Sequence, residues 1–422
     1  DLMSRVSYVM MNKGGREKLT AAVRGCINEL TAELLKQTQR KRADLLEAVF
    51  VCNPVMHHLF LGLDPTPLGQ APFNPAVSRS VRPTAADLQL DFAASAQVYV
   101  LPIVAGHVGA DAAAVALAQR PQIETKPTLI VDVGTNAEIL LWDGKTLFAA
   151  SSPTGPALEG AEISCGQRAA PGAIERIRID REKLEPRYRI IGSTLWSDDS
   201  GFAHSVEATG VTGVCGSGII EVVGEMLLAG VLSPDGIIRA PANDAEKERL
   251  VQQGRTWAYV ISADSPRLLV TQNDIRAIQL AKAALYAGVK LLMDKAGIGA
   301  ISDIRLAGAF GSYIDPQYAE LLGLVPDCPV ENVKAVGNAA GQGALKALLD
   351  IDARREIEAT VRKIVKIETA LEPEFQRHFV DAMGLPNSAD AFALTRQHFG
   401  MQPLAPLAEG KVRRKGRRPR DH

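Results

Sequence analysis

The 422 residues are 46% apolar and 23% charged, enough to bury a large core in two lobes and too apolar for a chain dominated by disorder. No apolar run approaches the ~20 residues that span a bilayer, and the N-terminus has neither a basic region nor a signal-like core. The five scattered cysteines suit a reducing compartment better than a disulfide-stapled exterior, so a cytoplasmic, membrane-free protein is expected.

In chain order, Arg16 to Gln37 reads as an amphipathic helix with Leu19, Val23, Cys26, Ile27, Leu30 and Leu34 on one stripe. A strand follows from Ala48 to Cys52. His57 and His58 are adjacent, so on a helix they point about 100° apart; no carboxylate or cysteine pattern completes a metal site, and a structural role is expected. Pro and Gly crowd Leu61 to Pro83, a long irregular loop of the kind that often faces a partner. A strand from Gln97 to Leu101 and a helix from Val108 to Ala118 lead to an expected lobe boundary at Arg120 to Pro127.

Beyond that boundary comes Leu129-Ile-Val-Asp-Val-Gly-Thr-Asn136. A short apolar run ends near Asp132, Gly134 permits a tight turn, and Thr135 and Asn136 add short hydrogen-bonding side chains. Strands from Ile139 to Trp142 and Thr146 to Ala150 continue the meander across the Asp143-Gly144 turn. An ordinary hairpin turn explains this motif as well as a phosphate turn, in which backbone N–H groups meet phosphate and Asp132 orders a Mg²⁺-bound water.

Ser152 to Gly160, which contains Gly155, is too rich in Pro and Gly to continue a sheet and reads as a loop over a site. Thr212-Gly-Val-Cys-Gly-Ser-Gly218 then runs into a helix from Ile219 to Leu228. This sets Gly216, Ser217 and Gly218 at a helix N-terminus that favours anions; a plain packing turn is the competing reading. Within the loop, Cys215 reads as a small buried residue rather than a reactive thiol. Thr271-Gln-Asn-Asp274 is a capping-box pattern opening a helix that buries Ile278, Ala281, Leu285, Val289 and Leu292 and ends at Gly297. Lys282 on that helix is a candidate for the cleft and the nucleotide, against the usual fate of a solvated lysine. After a short strand at Ile304 to Leu306, Gly308-Ala309-Phe310-Gly311 would let an adenine or ribose lie against backbone. Gly337 and Asn338 open a second glycine cluster and a small-residue helix.

These pieces together resemble the ATPase domain of the reductive activators of corrinoid proteins, in the acetate kinase, sugar kinase, Hsp70 and actin superfamily. The matching motifs are Asp132 to Glu138, Thr154 to Gly160, Gly172 to Ile174, Thr212 to Gly218, Asp274 to Arg276 with Ala281 to Ala283, Gly308 to Gly311 and Gly337 to Gly341. Asn53 to His57 and Val108 to Asp111 are further landmarks, and the match runs to about Leu385. The resemblance implies two actin-like, ribonuclease H-like α/β lobes around an ATP cleft. It also implies ATP-dependent return of a cobalt(II) corrinoid protein to cobalt(I) in a methyltransferase system, with that protein and an electron donor as partners. Thr135, Asn136 and Gly216 to Gly218 would hold phosphates, Asp132 would order Mg²⁺, and Gly308 to Gly311 would seat adenosine.

Two departures qualify this resemblance. Family members carry an N-terminal [2Fe–2S] domain with a Cys-x₄-Cys-x₂-Cys cluster, whereas Cys26, Cys52, Cys165, Cys215 and Cys328 make no such spacing. Members also carry an earlier Asp-Ile-Gly-Thr-Thr turn upstream of a segment like Asp1 to Tyr8. The chain is therefore expected to be a fragment whose first lobe and phosphate clamp are incomplete, with low ATPase activity by itself. Expected divisions are 1–127 for the remainder of the first lobe, 128–349 for the second, 350–410 for a helical appendage and 411–422 for a basic tail. That tail carries seven Lys or Arg and one Asp, net +6, which leaves −7 for residues 1–410. Without interleaved aromatics it is expected to be solvated rather than to grip nucleic acid. A small-molecule kinase of the same superfamily and a non-catalytic corrinoid-protein-binding module are the alternative functions; a homodimer is expected on base rate alone.

Overall fold

A computed structural model describes residues 2–402 apart from Ser265 and Ser312; the basic tail and the last residues of the appendage lie outside the described residues. Helices α1 (Leu2–Met11) and α2 (Gly15–Thr38) are followed by strand β1 (Glu47–Phe50), helix α3 (Pro54–Leu61), strand β2 (Gln97–Val100) and helix α4 (Ala110–Gln119). β1 and β2 pair in parallel, Glu47 opposite Gln97. The stripe expected on α2 is buried only in part: Val23 and Ile27 pack against the core around Phe60 and Val98, but Leu30 and Leu34 are 65% and 55% exposed, because the last turns of that helix bury Leu35 instead.

Next comes the meander β3 (Thr128–Val133), β4 (Ala137–Trp142) and β5 (Leu147–Ser152), then β6 (Ala173–Ile179), β7 (Pro186–Ile190), α5 (Phe202–Ser205), β8 (Gly213–Val214) and α6 (Gly216–Leu228). Strands β9 (Leu250–Gln253), β10 (Thr256–Ser262) and β11 (Leu268–Thr271) lead into the long α7 (Gln272–Ala296). The chain continues through β12 (Asp303–Ala307), α8 (Gly308–Gly311), α9 (Pro316–Leu321), β13 (Val333–Gly337), α10 (Ala339–Leu349), α11 (Ile351–Val361), β14 (Val365–Lys366), α12 (Pro373–Asp381) and α13 (Ala393–His398).

The central sheet has the order β13-β12-β3-β4-β5-β14. β3 is antiparallel to β4 and parallel to β12, which is parallel to β13. Its strands read as continuous apolar runs because both faces are covered. Leu129, Val131, Ile139 and Leu141 point toward Leu285, Val289 and Leu292 of α7; Ile130 and Leu140 point the other way, into a core with Ala113 and Leu117 of α4 and Ala347 of α10. α4 therefore packs beneath the sheet although its sequence precedes the expected boundary at 120–127. Smaller sheets β7-β6-β8 and β11-β10-β9 form between β5 and α7, with α6 against β6.

Candidate functional site

The parallel strands β3, β12 and β13 end side by side, Asp132 opposite Ala307 and Ala307 opposite Gly337. In open α/β sheets the carboxyl ends of such strands are where ligands bind, and the glycine turns of the sequence meet there. The hairpin from Val133 to Ala137 presents Gly134, Thr135 and Asn136. Gly308 lies against it at φ +91°, so close that a Cβ would overlap Asp132 Oδ1; only glycine lets the two motifs touch. The backbone of Ala309, Phe310 and Gly311 continues as the turn of α8 behind that contact.

The loop after β5 folds back over the same turn. Thr154 Oγ1 donates to the Gly134 and Thr135 carbonyls at 2.8 and 3.0 Å, and Gly155 N donates to Thr135 O at 2.9 Å. Thr135 Oγ1 in turn donates to Glu159 Oε1 at 3.1 Å, which spends that hydroxyl on the loop. The hairpin is thus both an ordinary turn and a wall of a cavity.

That cavity, of about 290 Å³, is lined by Asp132, Gly134, Thr135 and Asn136 together with Arg5, Asn53, Asp111 and Glu138. Asp132 and Glu138 face each other across the hairpin, and α4 brings Asp111 from below. Burial, with Asp111 second, raises the Asp132 carboxyl to about 6. Burial, reinforced by Asp111 and Asp132, holds Glu138 well above the usual carboxylate range, and burial raises Asp111 as well. Glu138 Oε1 accepts from Ser151 Oγ at 3.2 Å, while its buried Oε2 has no hydrogen-bond partner among the described residues. Among the described residues no three His, Cys, Asp or Glu side chains converge to ligate a metal directly. A hydrated cation fits such a set, with carboxylates meeting its water shell and Glu138 Oε2 finding a donor.

A second cavity of about 660 Å³ shares Gly134 and extends past Glu159, Arg168, Ile191 and Tyr313 to Cys215, Gly216 and Ser217. Cys215 is the N-cap of the 13-residue α6 and makes no side-chain capping bond, so the first N–H groups of the helix are left to whatever enters the cavity. Cys215 is buried, its Sγ 3.3 Å from Ile174 O, and Gly218 is needed where a Cβ would press on Ile174 O. Gly337 (φ +71°) ends β13, and Asn338 is engaged as the N-cap of α10, accepting from Gly341 N at 2.8 Å.

Lys282 is corrected by the structure. It is fully buried away from the cleft and donates to the carbonyls of Gly384, at 2.5 Å, and Pro386, because its face of α7 is covered by the C-terminal appendage. Asp111, Glu138 and Arg5 carry the site's electrostatics without having been assigned to it from sequence. Asp111, Asn53 and Glu138 all stood in recognised motifs; that Glu138 faces the same cavity follows from the hairpin register, which sets it opposite Asp132. His58 is structural: its ring meets Pro54 O at 2.8 Å and Ala76 N at 2.9 Å.

A mixed sheet in the order β13-β12-β3-β4-β5, with paired glycine turns and carboxylates at the strand ends, defines an actin-like fold class. Residues 126–395 match the family model described as the C-terminal domain of RACo, the ASKHA domain, and residues 1–122 match the RACo middle region. The chain belongs to the RACo family, the reductive activators of corrinoid proteins. It is 33% identical over 386 residues to the corrinoid activation enzyme RamQ of Eubacterium limosum, covering 89% of this chain and 62% of that protein. It is 27% identical over 396 residues to the Methanosarcina barkeri [Co(II) methylated amine-specific corrinoid protein] reductase, covering 86% and 68%. A solved reductive activator for corrinoid, iron-sulfur protein superposes with a TM-score of 0.80 at 31% identity, over 92% of this chain and 60% of that one. The chain thus spans about two thirds or less of the length of these relatives. Among the described residues no helix is long and apolar enough to cross a membrane.

Proposed function

We propose that this chain supplies the ATP-binding and partner-binding part of an activator that uses ATP to return a cobalt(II) corrinoid protein to cobalt(I). The observation that carries this reading is the contact of the Asp132 to Asn136 turn with Gly308, beside a cavity that ends at the open N-terminus of α6. Backbone N–H groups of the hairpin and of Gly216 to Gly218 would hold phosphates, with the nucleoside in the larger cavity. Mg²⁺ is expected to accompany a triphosphate here, held through water; its charge would draw protons off the raised carboxyls of Asp132, Asp111 and Glu138, screen the phosphates and leave the carboxylates to order its hydration. None of the chain's cysteines has the spacing of a [2Fe–2S] ligand set, so the electron would come from a donor outside these residues, through a cluster domain of the kind the family carries. Nucleotide binding would act by biasing how the lobes hold the corrinoid partner.

Calorimetric titration with ATP and ADP in Mg²⁺ tests this, on this chain and on a version extended upstream through a first phosphate turn. Binding by the extended version, weakened at least tenfold by Asp132→Ala, is the expected result. Absence of binding by both versions, or unchanged cobalt(II) reduction by the Asp132→Ala form of a complete protein, would overturn it.

A further inference from the structure

A groove of about 820 Å³ shares no lining residue with the two cleft cavities. It lies between the extended segment 78–83, the turn after β2 and the end of α11. Val81, the fully buried Ile103 and Val361 give it apolar walls, and Arg79, Arg82 and Arg362 stand exposed along it. Its one carboxylate is already engaged: Glu358 Oε1 accepts from Ser80 Oγ at 2.6 Å, Tyr99 OH at 3.0 Å and Arg82 at 3.3 Å. Arg79 and Arg362 donate only to carbonyls, those of Ser80 and Glu358, and neither has a carboxylate within ion-pair distance among the described residues. Two guanidinium charges are therefore uncompensated beside an apolar wall.

The backbone adds a direction. Val81 N and O both pair with Val100, and the Ser78 and Pro83 carbonyls accept from Ile103 N and Val98 N. In an antiparallel pairing the intervening residues turn their N–H and C=O groups to the opposite side, so Ser80, whose carbonyl meets only the exposed Arg79 side chain, and Arg82 present a strand edge with no backbone partner among the described residues. We propose that this groove docks an extended acidic and apolar segment of a protein partner, which adds a strand along Ser80 to Arg82 and sets its carboxylates against Arg79 and Arg362. A small phosphate compound fits less well, because apolar walls offer nothing to its remaining oxygens. The groove joins residues of both family regions, 78–104 from the first and 358–362 from the second, so its occupant would bridge them.

The test is an array of hexapeptides that alternate Glu or Asp with Val, Leu or Phe, beside the same array with Lys, probed with the whole chain. The acidic series should be retained, with at least tenfold weaker binding in R79E/R362E and in 0.5 M salt, since both arginines are exposed and their charge is screened. R79Q/R362Q should fall between the two, and the melting temperature of each variant reports its fold independently of binding. Equal retention of the Lys series, no retention of the acidic series, binding unchanged in the double variants, or displacement of the peptides by inorganic diphosphate at equal concentration would overturn the proposal. ATP titration of the variants keeps this outcome separate from that of the nucleotide site.

Discussion

Asp132 sits in the cleft with its carboxyl raised to about 6, above the 3.8 of a free side chain, so between those values the folded chain binds more protons than the unfolded one. Its contribution to stability is then present at low pH and is lost as pH rises through about 6. Asp132→Asn is expected to be more stable than the parent at pH 7.5, by at most about 2–3 kcal/mol, and to lose that advantage near pH 4. Millimolar Mg²⁺ should raise the parent's melting temperature at pH 7.5 and leave the variant's unchanged; scanning calorimetry at the two pH values checks both. At Gly308 the constraint is steric. Gly308→Ala places a Cβ on Asp132 Oδ1 at a left-handed backbone position and should cost at least ~1–3 kcal/mol while weakening nucleotide binding more than tenfold, read by denaturant midpoint and calorimetry.

At the scale of elements, the start of α7 ties the helix to the loop that covers the site. Asp274 Oδ2 accepts from Thr271 N and Oγ1 at 2.7 and 2.8 Å, and Oδ1 accepts from Ser164 N and Oγ at 2.7 and 3.0 Å. Thr271→Ala should cost about 1 kcal/mol, the usual worth of an N-cap. Asp274→Ala should cost more, about 2–3 kcal/mol, because it removes a buried charged acceptor that both elements share; urea midpoints distinguish the two. This capping box and the apolar face from Ile278 to Leu292 were legible in the sequence because both are local patterns. So were β3 to β5, whose unbroken apolar runs signal burial on two sides. Strands β6 and β7, alternating stretches set among charged residues, were not read, nor were β9 to β11, although β10 holds an unbroken apolar run from Trp257 to Ile261. In the site, the glycine turns were legible because a backbone demand shows in residue type. The convergence of Asp111 and Glu138 on Asp132 was not, since it depends on which strands and helices become neighbours. Lys282 went astray for the same reason: helical spacing gives a face, and only the tertiary fold says what covers it.

For the molecule as a whole, Lys282 fastens the C-terminal appendage to the actin-like core. Burial pushes its ammonium well below the ordinary lysine range, so between the folded and unfolded values the unfolded chain binds more protons and stability rises with pH. Lys282→Met should abolish that rise between pH 7 and 10, measured by denaturant midpoints, and should speed proteolysis near Gly384, whose carbonyl loses its donor. The central sheet imposes a different demand during biosynthesis. Thr128 at the start of β3 pairs with Asp303 of β12, about 175 residues later. At the usual ~5–20 residues per second of translation, the apolar β3 edge emerges from the ribosome roughly 10–35 s before its partner exists. The smaller sheets must fold in that interval beside an open strand, so yield in the cell should depend on what shields the Leu129 to Val131 edge of the nascent chain more than on the stability of the finished protein.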